Sequence, residues 1–235
     1  MAKLAMPKPS VMSDRSQSVE DYLKAIYAVA RAGDGVSTSA LAARLDVTPA
    51  SATGMIKKLA GLGLVAHTPY QGVDLTEPGR RIAVETIRHH RLVETYLHQA
   101  LGVPWDRVHG EAEAWEHVLS EDLEARMDAA LGHPTVDPHG APIPTPDLVL
   151  DEPDHPPLAR LDAGQTATVA QVADHDSRLL RHIGAAGLYP STRFAVDAVT
   201  DGGDLRLRLL SGDRRGDAVT LDAAASAHVF VSDIA

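Results

Sequence analysis

Residues 37–64 read STSALAARLDVTPASATGMIKKLAGLGL, and their order decides what the front of the chain is. Ser37, Thr38 and Ser39 offer hydroxyls to the first free amides of a short helix over Ala40–Leu45, whose Leu41 and Leu45 share a face. Asp46-Val47-Thr48-Pro49 then turns the chain, with Thr48 as N-cap and Pro49 at the first helical position, where its missing amide costs nothing. The second helix runs from about Pro49 to Leu62, with Met55, Ile56 and Leu59 inward. Its start offers Thr48, Pro49, Ala50, Ser51 and Thr53 to a partner, and its later turns offer Lys57 and Lys58. Small hydroxyl residues at a helix N-terminus suit phosphates and base edges in a major groove, and lysines suit the phosphate backbone. Ala66–Tyr70 and Gly72–Thr76 alternate around Gln71-Gly72 like a hairpin, and Thr76 caps the next helix. Helix, turn, helix, hairpin is the order of a winged helix-turn-helix, and double-stranded DNA is the partner it suits. The bland alternative is a helical hairpin whose hydroxyls serve only as caps. Gly54 has no side chain to read a base edge and the helix holds no Arg or Gln, so backbone contacts and DNA shape carry much of the recognition.

The rest of the chain is different in character. It has 235 residues, enough for one large or two ordinary domains, and 44% are hydrophobic but only 4% aromatic, so Ala, Leu, Val and Ile must fill the core. With no cysteine, disulfide scaffolds, thiolate zinc sites and cysteine nucleophiles are excluded. A net charge of -10 argues against a basic coat, but the charge is unevenly placed: +2 over residues 1–76, -5 over 77–131 and -7 over 132–235, with all five lysines in the first 58. No secretory signal and no run of about 20 apolar residues is present, so a cytoplasmic protein without a membrane partner is expected. Eight of the fifteen prolines fall between residues 132 and 157, which favours extended chain. Beyond it Thr166–Ala173, Arg193–Thr200, Leu205–Leu210 and His228–Ser232 read as strands, with Asp201-Gly202-Gly203-Asp204 as a hairpin turn and a helix over Ser177–Ala186 between them. The expected fold is mainly α with a C-terminal β-barrel.

A second chemical signal lies between these parts. His109, Glu113, Glu116 and His117 are spaced along one stripe of the helix after Pro104, and His90, Glu94 and His98 follow one another at four-residue intervals on the helix before it. The short Gly102–Asp106 connection makes the two helices antiparallel neighbours, so the stripes can face each other. Imidazoles and carboxylates held on regular helices chelate divalent cations. An oxygen-rich donor set without thiolates favours Mn(II) or Fe(II) over Cu(I), while Zn(II) and Co(II) bind by raw affinity in vitro. The competing reading is a solvated helix face of i,i+4 pairs; Trp115 and Val118, read as core residues flanking the stripe, weigh against it. His89, His98 and His133 read as surface residues, and His139 and His155 have no partner that the sequence identifies. Asp21 reads locally as a first-turn acid of a helix opening at Ser18.

Taken together these residues resemble the diphtheria toxin repressor family of metal-dependent transcriptional repressors. The resemblance is carried by Glu20-Asp21-Tyr22-Leu23 with Ile26-Tyr27, the helix-turn-helix, His90-Arg91-Leu92 with Glu94, Val108-His109 through Trp115-Glu116-His117-Val118, and the phrases Asp137-Pro138-His139-Gly140 and Pro142-Ile143-Pro144. It implies a winged helix-turn-helix over residues 1–76, a helical dimerisation and metal domain over 77–145, a proline-rich linker over 146–160 and an SH3-like, FeoA-like barrel over 161–235. It also implies that Asp21, Glu113, Glu116 and His117 form the primary, activating metal site. His90, Glu94 and His109 fall on the ancillary site, to which the barrel adds His175 or Asp176. Iron-type members have Met and Cys where this chain has Asp21 and Glu113, so the pair looks like the manganese-responsive branch; Lys24 replaces a glutamate of some manganese members. The implied protein is a homodimeric Mn(II)-dependent repressor of metal-uptake genes that binds palindromic operator DNA and takes no small organic substrate.

Three alternatives stand beside it. One is an Fe(II)-responsive repressor of the same family. Another is a helical di-metal carboxylate enzyme, although Glu94 and His98 are four apart, and neither paired Glu-x-x-His nor His-Glu-x-x-His occurs. The third is a winged-helix repressor gated by an organic ligand, with the His/Glu stripe merely solvated.

Overall fold

The computed structural model describes residues 17–31, 33, 35–68 and 72–235. They form two compact units that divide between Thr86 and Ile87, inside one long helix.

The first unit opens with α1 (Gln17–Arg31), whose buried Tyr22, Leu23, Ile26 and Tyr27 form a helical stripe. Asp21 is therefore at least the fifth helical residue, past the first turn; the acid in that turn is Glu20. Helix α2 (Thr38–Arg44) is capped by the Ser37 side chain, and α3 (Pro49–Gly61) by Thr48, whose hydroxyl accepts from the Ser51 amide at 3.2 Å. Between them Asp46 adopts φ 51°, a left-handed turn conformation that Asp tolerates better than most residues. Strands β1 (Val65–Thr68) and β2 (Gly72–Leu75) pair antiparallel from Val65↔Leu75 to Thr68↔Gly72. The expected tip of the wing, Pro69 to Gln71, lies outside the described residues. Helix α4 (Glu77–Leu101) then begins at its Thr76 cap.

In the second unit α4 continues, followed by α5 (Val108–Trp115) and α6 (Glu121–Ala130), the latter capped by Ser120. The proline-rich chain is extended and ordered: Val136 bridges Pro142, Pro157 bridges Phe230, and the Val231 amide donates to the Pro156 carbonyl. Strands β3 (Thr166–Val172), β4 (Arg193–Val199), β5 (Leu205–Leu209), β6 (Ala218–Leu221) and β7 (Val229–Ser232) make one antiparallel sheet in the order β6-β5-β4-β3-β7. Helices α7 (Ser177–Ala185) and α8 (Ala223–Ser226) lie between β3 and β4 and between β6 and β7 in the chain. Phe194, Leu180, Ile183, Leu188 and Leu207 are fully buried in its core. The architecture is mainly α with a small C-terminal antiparallel β domain, as expected. Strand β6 and helix α8 are additions, each only four residues long and too short to show a period. No helix among the described residues is long and apolar enough to cross a membrane.

One contact pins the helices to the sheet. Gly140 has φ +88°, and a Cβ there would lie 2.1 Å from the Ala170 carbonyl oxygen on β3, while the neighbouring His139 carbonyl accepts from the Val172 amide at 2.9 Å. Gly140→Ala must therefore both strain the backbone and push β3 away. A loss of about 3 kcal/mol or more is expected. For a domain of this size that is a fall of about 6–12 °C in Tm, readable by calorimetry.

Candidate metal centre

Helix α4 presents His90 and Glu94 one turn apart, both buried, and α5 presents His109 opposite them. His90 Nε2 lies 3.0 Å from His109 Nδ1, and Glu94 Oε1 is 3.1 Å from each of these nitrogens. Three donor atoms thus form a nearly equilateral triangle. In a six-coordinate site, neighbouring donors are separated by about 1.4 times the metal–donor distance. Edges near 3 Å therefore match bonds of about 2.1–2.2 Å, the range of divalent cations with N and O donors. Asp174, just past β3, brings Oδ2 to 3.7 Å from His109 Nδ1 and supplies a fourth donor from the β domain.

The other oxygen of Glu94 faces a separate group. Glu94 Oε2, His139 Nδ1 and Asp137 Oδ2 are buried without a hydrogen-bond partner and converge on one another, with His139 Nδ1 3.7 Å from Glu94 Oε2. Buried polar atoms without partners carry a desolvation cost that a bound ion removes. Asp137 directs Oδ1 to the amides of His139 and Ala141, and the His139 ring is anchored by a 2.8 Å bond between Nε2 and the Trp105 carbonyl. Burial and the Glu94 charge push the Asp137 carboxyl up to about 7. Burial opposes the charge on His139, but Glu94 and Asp137 outweigh it and hold the imidazole up at about 9. Burial works against ionisation of Glu94 too, yet the histidines around it hold its carboxyl well below the usual range. Such a donor set of carboxylates and imidazoles fits a hard divalent cation.

Glu116, at the end of α5, is also fully buried. Its Oε2 is hydrogen-bonded to His90 Nδ1, and its Oε1 lies 3.4 Å from His117 Nε2. His90 consequently has one ring nitrogen toward the Glu94–His109 group and the other toward Glu116. Glu113 is exposed, with Oε1 3.6 Å from His109 Nε2. Asp21 is half-buried on α1 in the first unit.

Other residues singled out from the sequence are placed differently. Asp176 is the N-cap of α7, accepting from the amides of Arg178 and Leu179; the carboxylate that reaches His109 is Asp174. His175 is exposed, edge-on to the His228 ring, and lines a cleft of about 320 Å³ with His109 and Asp174. His89 is buried rather than on the surface, because both its ring nitrogens have acceptors within reach. Trp115 and Val118 are 42% and 80% exposed and are not core in the chain alone. Sequence reading missed Asp137, His139 and Asp174; the signal for the first two was the Asp-Pro-His-Gly phrase, whose glycine the fold requires. On α3, Thr48, Pro49, Ala50, Ser51, Thr53, Lys57 and Lys58 are all exposed.

Comparison with known proteins places the whole chain. Residues 14–73 match the iron dependent repressor N-terminal DNA binding domain, residues 76–145 the iron dependent repressor metal binding and dimerisation domain, and residues 157–233 the FeoA domain. The iron-dependent repressor IdeR of Mycobacterium tuberculosis is 33% identical over 204 residues, covering 82% of this chain and 89% of that protein. The chain belongs to the iron-dependent repressor family. A manganese-dependent transcriptional repressor solved in complex with manganese superposes with a TM-score of 0.80 at 39% identity, over 91% of this chain and 98% of that one. ScaR with bound Zn2+ does so with a TM-score of 0.75 at 27% identity, over 91% and 98%. Iron-dependent repressors are DNA-binding, metal-responsive repressors and not enzymes, so the reading as a helical di-metal carboxylate enzyme falls.

Proposed function

We propose that this metal-dependent repressor is a Mn(II)-activated homodimer that binds a palindromic operator and silences metal-uptake genes in the cytoplasm. The observation that carries the reading is the triangle of His90 Nε2, Glu94 Oε1 and His109 Nδ1 in a chain that begins with a winged helix. Support for manganese comes from the donors: carboxylates and imidazoles, with Asp21 and Glu113 where iron-type members carry softer ligands, and no cysteine anywhere. In this reading Asp21, Glu113, Glu116 and His117 hold the activating cation. His90, Glu94 and His109 hold the ancillary one, with Asp174 as a further donor beside His109 and with Asp137 and His139 gathered at the other oxygen of Glu94. The bound cation supplies the positive charge that lets these carboxylates stand together. Asp21 acts as a latch, restricting the motion of α1 and the winged helix so that both recognition helices of a dimer meet successive major grooves. Support for the dimer comes from exposed Trp115, Val118 and Leu123 in the segment that matches a dimerisation domain.

The test is a fluorescence-anisotropy titration of the full chain against the promoter of a manganese transporter, with Mn(II), Fe(II), Co(II), Zn(II) or excess chelator. Tight binding with Mn(II) and loss with chelator is expected. Binding as tight in chelator as in Mn(II) removes the switch, and activation by Fe(II) but not Mn(II) moves the protein to the iron-responsive alternative. In the same assay Lys57→Ala with Lys58→Ala should weaken binding similarly on all sequences and lower the salt slope by about 2, as expected of phosphate contacts.

A further inference from the structure

Helix α5 stops at Trp115, so the backbone of Glu116 lies at a helix end, where carbonyls lack the amide that would follow in a longer helix. In this chain the Glu116 carbonyl is taken by a side chain from another helix. His89 Nδ1 on α4 lies 3.1 Å from it, and His89 Nε2 lies 3.0 Å from Glu124 Oε2 on α6. Both partners are acceptors, so the ring donates from both nitrogens. Glu124 is fixed in turn by Arg88, whose Nε donates to its Oε1 and whose Nη2 lies 3.4 Å from Asp128. His89 is 5% exposed and Arg88 3%, so this chain of alternating charges is shielded from water. Its direction is specific: it ends on the main chain of the residue whose side chain lies between His90 and His117.

We infer that His89 and Glu124 are positioning residues for the activating metal site, with α6 serving as the brace that holds the Glu116–His117 backbone at the height their side chains need. The inference rests on the reading of Glu116 and His117 as ligands. Neither His89 nor Glu124 is a ligand itself. Their action is that of outer partners, which fix the orientation of groups that touch the cation. A Glu116 carbonyl left without its donor would free the last turn of α5 to fray, and with it two donors of one site. The His90–Glu94–His109 triangle is built from the interior of α4 and the start of α5 and meets that turn through the His90–Glu116 hydrogen bond, so it should respond far less.

The experiment is a Mn(II) titration of the full chain, with free Mn(II) read by electron paramagnetic resonance, in two backgrounds that isolate the sites. In Glu94→Gln the Glu116–His117 site is read; in Glu116→Gln the His90–His109 site is read. In the first background His89→Leu and Glu124→Gln should each weaken Mn(II) binding by about 10–100-fold. In the second they should change it far less, because neither residue touches a donor of that site. His89→Asn, whose amide nitrogen stands close to where Nδ1 stands, should restore most of the affinity in the first background. The inference is overturned if Glu124→Gln and His89→Leu bind as tightly as their parent, if both sites weaken together, or if Asn is as poor as Leu. Should His89→Leu fail to fold, Glu124→Gln and His89→Asn carry the same comparison. If adding Glu116→Gln to the Glu94→Gln background leaves Mn(II) binding unchanged, the ligand reading itself is wrong, and the brace falls with it.

Discussion

Glu116→Gln should abolish the metal response of DNA binding while leaving the fold intact. In the parent protein Mn(II) is expected to tighten operator binding by about 5–150-fold, the usual range of coupling between two sites. In the variant the factor should fall to about 1, because a cation that binds both arrangements of the chain equally shifts nothing. The size of the effect follows from where the carboxylate is. Glu116 is 1% exposed, one oxygen hydrogen-bonded to His90 Nδ1 and the other 3.4 Å from His117 Nε2. Gln keeps the volume and one acceptor, so packing survives, but it removes the charge that a divalent cation requires in so dry a place. Anisotropy with and without Mn(II), beside circular dichroism of both proteins, separates the outcomes. A variant that folds and still answers Mn(II) would make Glu116 a structural acid.

That Glu116 could be picked out from sequence at all reflects the regularity of helices. His109 on α5 and Glu116 just past its end, and His90 and Glu94 on α4, are spaced by helical turns, so the meeting of Glu116 with His90 and of His109 with Glu94 follows from the 3.6-residue period and a short connection. The helix-turn-helix was legible for a similar reason: Thr48 and Pro49 specify a helix start, and the structure uses both as read. What escaped the sequence was donated by irregular chain. Asp137 and His139 occupy a proline-rich stretch with no period, and Asp174 lies two residues beyond the end of β3. Their convergence on Glu94 depends on how Gly140 packs against β3, a tertiary fact that no local pattern encodes. His89 escaped because its partners, the Glu116 carbonyl and Glu124, are 27 and 35 residues away, and a carbonyl has no signature in sequence. Asp176 is the opposite case. An acid beside a histidine looks like a ligand, but ahead of a helix one of its oxygens is taken by the first free amides.

The buried group around Glu94 sets the second large effect, the dependence of metal-free stability on pH. Asp137 is raised to about 7, so the folded chain holds that proton more tightly than the unfolded chain does. Its contribution is greatest below the ordinary carboxyl range and is lost as pH rises through about 7. His139, raised to about 9, contributes fully below about 6.5 and loses its contribution as pH rises through 9. Glu94 is lowered, so it stabilises above its ordinary range and fails only on strong acidification. Chelator-treated protein should therefore be most stable near pH 5 and lose on the order of 4 kcal/mol by pH 9, a fall of about 10 °C or more in Tm. Metal should reverse the trend. A cation needs these groups without their protons, so each step up in pH favours binding, and binding to the folded chain stabilises it. The gap between metal-loaded and chelated melting temperatures is thus expected to widen from pH 5 to pH 8. Asp137→Asn removes the raised carboxyl, and should flatten the metal-free curve between pH 5 and 7 and narrow that gap. Calorimetry across the range decides it: a gap that stays constant with pH would mean that no proton leaves this group when metal arrives, and that Glu94, Asp137 and His139 are a structural knot rather than part of the cation's site.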